Sequence, residues 1–152
     1  MANTEAKTSG SPESLRGLDR VGLDIEQLPP EFKDTEIKQQ DLFGFVKSSL
    51  RNAPVQVISR TGALHLLGAP TLFLNVSLFE QQPETYVYVV ALELVQGAKM
   101  ERLTGDDRFG GVPTWRAQVV GLTTKCQLVV LKDSIAATGE AFAKDLREVV
   151  HR

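Results

Sequence analysis

Cysteine is almost missing from this chain. Cys126 is the only one among 152 residues, so an internal disulfide is excluded and stability must come from the core. Histidine is nearly as scarce, with only His65 and His151, which leaves few of the usual proton carriers for acid–base catalysis. No apolar run is long enough to span a bilayer as a helix. The longest, Tyr86 to Leu94, alternates like a strand and contains Glu93. Positive charge is not in excess either. Lys and Arg number 17 against 19 Asp and Glu, a net charge of −2. Clustered cations of the kind that seek nucleic acid or an anionic membrane are absent. Neither nucleic-acid binding nor direct membrane insertion is expected. The GxSxG, HExxH, P-loop and GxGxxG patterns are also lacking, and with them the motif-borne enzyme classes. The opening MANTEAKTSGSPES has no apolar middle of a secretory leader. As written, this favours a cytoplasmic chain; a periplasmic or envelope setting is the alternative if a leader was removed.

What is present is the composition of a globular protein, 42% apolar and 24% charged residues, in a length that suits one domain. Residues 1–16 are small and polar and are expected to be disordered. A single α+β domain is expected over 17–152. Val21, Leu23 and Ile25 alternate with polar residues or glycine, the pattern of a short strand, which Pro29-Pro30 ends. Asp34 or Thr35 then suits a helix cap. The spacing of Ile37, Leu42, Phe43, Phe45, Val46 and Leu50 predicts a helix to about Asn52. Gly44 inside it costs about 1 kcal/mol relative to alanine, which a close helix–sheet contact would explain. Val55–Ile58 reads as a second strand, and 60–69 as irregular or a single helical turn.

The two strongest strands are Thr71–Phe79 and Thr85–Gln96, joined by Glu80–Glu84. Pairing Phe79 with Thr85 sets Leu78 against Tyr86, Val76 against Tyr88, Leu74 against Val90 and Leu72 against Leu92. Every large apolar side chain on one face then meets another. Gly97 marks a bulge or a bend, Met100–Leu103 continues the strand, and Thr104–Val112 is a glycine-rich turn. A further strand, Pro113–Leu122, carries Trp115, Ala117 and Val119 inward. Leu128, Leu131, Ile135, Phe142, Leu146 and Val149 predict a closing helix over about Thr124–Val150, with Gly139 as a kink or a close-packing site. The order β-α-β-β-β-β-α predicts a two-layer α+β sandwich: a mainly antiparallel sheet of about five strands with both helices on one face.

Candidate chemistry is sparse. His65 reads as a loop or packing residue and His151 as a tail. Cys126, beside Lys125 near a helix start, has the setting of an activated thiol, against which stands the ordinary role of a small buried apolar residue. Asp106-Asp107 reads as a solvated turn, since it lacks the alternating oxygen ligands of a calcium loop. No catalytic, cofactor-binding or metal-ligating set is assigned, and no cofactor is expected.

The start LRGLDRVGLDIEQLPPE, the middle LGAPTLFLNVSL, the strand YVYVVALELVQGAKMER, a TW pair and the closing FAKDL helix together resemble a group of small uncharacterised bacterial proteins, often exported. The resemblance spans Gly17 to Val150. It implies an exported, periplasmic or envelope setting and carries no known activity.

Taken together, these features suggest a non-enzymatic interaction or assembly module. Its interface is the sheet's second face, with Phe73, Asn75, Phe79, Val87, Val89 and Ala91, met by a second copy, as in a homodimer, or by another protein. One alternative is a ligand-binding or enzymatic domain with a pocket near Tyr86, Trp115 and Arg116, the arginine suiting a carboxylate or phosphate. Another is an accessory subunit of a membrane-associated complex, its anchor supplied by the partner.

Overall fold

The computed structural model describes residues 5–58, 70–99 and 108–151. His65, Met100–Leu103 and Asp106-Asp107 lie outside the described residues, as do all of 60–69 and the start of the glycine-rich turn. Six strands form one mixed sheet: β1 (Lys7–Gly10), β2 (Arg20–Ile25), β3 (Gln56–Ile58), β4 (Thr71–Gln82), β5 (Thr85–Lys99) and β6 (Arg108–Thr124), in the spatial order β1-β6-β5-β4-β2-β3. Two helices, α1 (Gln39–Ser49) and α2 (Leu131–Val150), cover one face. The fold is α+β, and the expected mainly antiparallel character holds only for β1, β6, β5 and β4. Strand β2 runs parallel to both β3 and β4; for β3 this follows from α1, which lies between β2 and β3 in the chain and returns it to the same end of the sheet.

The N-terminus is more ordered than its composition suggests. Lys7–Gly10, expected within a disordered segment 1–16, pairs with Trp115–Gln118 as an edge strand. Composition misled here, because all four residues of β1 are exposed and the strand is held by its backbone. Just after it, Pro12–Leu15 forms a 3-10 turn that buries Leu15 completely.

The central hairpin is shifted by two residues from the expected register. Leu74 sits opposite Leu92 rather than Val90, Val76 opposite Val90, Leu78 opposite Tyr88 and Phe79 opposite Val87. The connection is also shorter than Glu80–Glu84. Strand β4 runs on to Gln82 past a bulge at Gln81, and Pro83-Glu84 alone makes the turn, with Glu84 at φ 64°. A shift of two preserves which face each side chain occupies. Leu72, Leu74, Val76, Tyr86, Tyr88, Val90, Leu92 and Leu94 are therefore still buried under the helices. Gly97 does fall at a bulge, between Gln96 and Ala98. Beyond it β6 begins at Arg108, inside the expected turn, and extends to Thr124.

Helix α1 starts later than expected. The Asp41 carboxylate accepts the Lys38 backbone N–H at 2.8 Å, which secures the first turn in place of Asp34 or Thr35. Leu42, Val46 and Leu50 are buried, while Phe43 and Phe45 are half-buried at the margins. Gly44 is exposed, and an added Cβ there meets nothing within 4 Å, so the expected close contact is absent. Gly139 of α2 is the close-packing site instead. A Cβ on it would lie 2.9 Å from Ser49 Cβ and still closer to Ser49 Oγ, so the two helices cross there with little space between them. It does not kink α2, which runs unbroken to Val150. The segment before α2, Lys125–Val130, is a 3-10 turn rather than the start of the long helix.

Candidate interaction surface

The side chains on the second face fall into cross-strand rows fixed by the register. From the hairpin end inward, the rows are Phe79, Val87 and Leu122, then Ser77, Val89 and Val120, then Asn75, Ala91, Gln118 and Lys7. The next row is Asp24, Phe73, Glu93, Arg116 and Ser9. The face is thus divided. Its hairpin half is apolar, and its other half carries a network in which Arg116 pairs with Glu93 at 3.1 Å and donates to Gln118 at 2.8 Å.

Sheet width follows the same division. Strand β2 pairs with β4 only as far as Leu74, and β1 pairs with β6 only as far as Gln118. Among the described residues, the rest of β4, β5 and β6 therefore projects as a three-stranded ribbon. On this ribbon Phe79 is 54% exposed, Val120 55% and Leu122 72%. Val87 and Val89 beside them are half-buried, and so are Phe73 and Asn75, whereas Ala91 is buried at 4%. Val120 and Leu122 are absent from the sequence-based set. Their signal was legible, since Gln118, Val120 and Leu122 alternate with the inward Ala117 and Val119.

The second candidate set is not brought together. Trp115 lies opposite Leu94, and Tyr86 lies opposite Thr123. Eight residues of β6 separate these rows, about 27 Å along the strand. Trp115 is fully covered, with its indole N–H donating to Asp145 at 2.9 Å and its ring edge-on to Phe142 at a centroid distance of 5.2 Å. Tyr86 is buried near the other end of the helix-covered face. Arg116 is on the opposite side of the sheet, in the Glu93 network. The buried polar atoms of the core satisfy one another: Tyr88 and Ser134 share a hydrogen bond at 3.1 Å, and Thr138 donates to the Ile135 carbonyl at 2.7 Å.

Cys126 is exposed in the 3-10 turn, not a buried apolar residue. Among the described residues no group of His, Cys, Asp and Glu is placed to hold a metal ion. No described helix is long and apolar enough to cross a membrane.

Neither a protein-family model nor a curated protein sequence matches the chain. Solved structures do match, at the level of the fold. A dodecamer of PelC from Paraburkholderia phytofirmans, in a single-residue variant, superposes with a TM-score of 0.52 at 13% identity, covering 91% of this chain and 96% of that one. A second PelC dodecamer from the same organism gives a TM-score of 0.51, also at 13% identity, over 92% of this chain and 96% of that one. The similarity is one of architecture across nearly the whole of both chains.

Proposed function

We propose that this protein is a non-enzymatic assembly module that self-associates through the second face of its sheet. The observation that carries the reading is the clustering of Phe79, Val120 and Leu122, all more than half exposed, around Val87 and Val89 on a ribbon unflanked by other described strands. Scattered apolar residues on a surface are ordinary, but a contiguous apolar patch on a sheet is characteristic of a contact with another protein. A second copy is favoured as the occupant because the PelC chains that share this architecture are dodecamers.

Sedimentation velocity across a range of concentrations tests this reading. The native chain is expected to sediment as more than a monomer, and Leu122→Arg or Val89→Arg to shift it toward monomer while leaving the circular dichroism spectrum unchanged. A chain that stays monomeric at the highest attainable concentration overturns the proposal.

A further inference from the structure

The patch has a counterpart elsewhere on the same molecule. At the far edge of the sheet, the last turn of α1 and strand β3 enclose a groove of about 270 Å³ lined by Gly44, Lys47, Leu50, Arg51, Val55 and Val57. Its floor is apolar, with Leu50 buried and Val55 and Val57 half-buried, and its rim is cationic, with Lys47 and Arg51 exposed. The ribbon tip has the complementary character. Phe79 shares the outermost apolar row of the second face with Val87 and Leu122, and the exposed Glu80, next in the chain on the strand's other face, accepts the N–H of the exposed Glu84 in the turn at 3.4 Å.

One chain cannot bring its own tip to its own groove. Ile58 of β3 is level with Gly22 and, through it, with Thr71, so Phe79 lies eight residues further along β4. That is about 27 Å at the usual rise of a strand, besides two strand spacings across the sheet. Contact between the two surfaces must therefore be made between copies, and it joins unlike surfaces. Made once between two copies, such a contact leaves a free tip and a free groove, so it continues head to tail into rings or filaments.

We infer that the assembly is heterologous: the β4–β5 hairpin tip of one copy docks in the α1–β3 groove of the next, Phe79 entering the apolar floor while Glu80 and Glu84 meet Lys47 and Arg51. This rests on the self-association proposed above and names the surface that receives the patch. Opposite charges across such a contact fix orientation and exclude the like-with-like pairing of a twofold dimer.

Charge reversal separates the two ideas. A groove variant, Lys47→Glu with Arg51→Glu, and a tip variant, Glu80→Lys with Glu84→Lys, are each expected to lose self-association by tenfold or more in sedimentation equilibrium. Their equimolar mixture is expected to recover it, since every contact between a reversed tip and a reversed groove is again of opposite charge. Melting curves of each variant at low concentration check that it folds. If the native chain associates and the groove variant associates equally well, the head-to-tail assignment is wrong while self-association stands. The assignment is equally overturned if both variants are monomeric and their mixture remains so. A native chain that never associates removes both.

Discussion

Gly44 and Gly139 occupy the same kind of position in the sequence, each in the middle of an amphipathic helix, yet they lie in opposite environments. Gly44 is exposed with open space around a hypothetical Cβ, so Gly44→Ala is expected to stabilise the protein by about 0.5–1 kcal/mol in urea titrations, through helix propensity alone. Gly139 faces Ser49 at the helix crossing, so Gly139→Ala is expected to cost about 1–3 kcal/mol through overpacking. Adding Ser49→Ala to that variant should return part of the loss, because the nearest atom is the Ser49 hydroxyl. A similar closeness holds across the sheet. Gly121 lies beneath the Tyr88 ring, where a Cβ would approach the ring to 2.7 Å. The ring there delivers its hydroxyl to Ser134. Tyr88→Phe keeps the ring and strands the Ser134 hydroxyl, for an expected loss of about 1–2 kcal/mol.

Among the elements, the β4–β5 hairpin has the most locally determined geometry. Its turn holds Glu84 at φ 64°, a conformation that costs a non-glycine residue about 1 kcal/mol. Glu84→Gly is therefore expected to raise the melting temperature modestly in calorimetry, and an unchanged or lower value would contradict the strain. The edges behave differently from the centre. Strand β5 is paired on both sides along most of its length, while β1 contributes only four exposed residues and β3 only three at the opposite edge. Amide exchange should be slowest in β5 and fast in β1 and β3, since a segment opens more readily the less apolar surface its opening uncovers.

For the molecule as a whole, self-association couples to stability. A chain stabilised by contact with its copies melts at a higher temperature as its concentration rises. Calorimetry over roughly a hundredfold range of concentration should show that rise for the native chain and a much smaller one for Leu122→Arg. If the hairpin tip docks against Lys47 and Arg51, added salt should weaken the association, because exposed charges are screened beyond about 10 Å at 0.1 M ionic strength. A contact made by apolar side chains alone would be indifferent to salt or strengthened by it.

Periodicity in the chain determined the helices, the long strands and the face of each side chain. Val46, Phe142 and Leu146 in the helices, and Leu72, Val90 and Trp115 in the strands, are buried where their spacing places them. Strand alternation has a period of two, so it cannot distinguish registers that differ by two residues. Only the bulge at Gln81 and the tight turn at Pro83-Glu84 decided that Leu74 meets Leu92. The exposed strand β1 was invisible for a related reason, because backbone pairing leaves no mark on residue type. The candidate surface was half legible. Phe79, Val87 and Val89 follow from the hairpin alone, whereas Val120 and Leu122 join them only once β6 is placed beside β5. Which residues are oily is a property of the chain. Which of them lie side by side on an open ribbon, and which cationic groove lies at the far edge, depends on strand order, a long-range arrangement that no local pattern encodes.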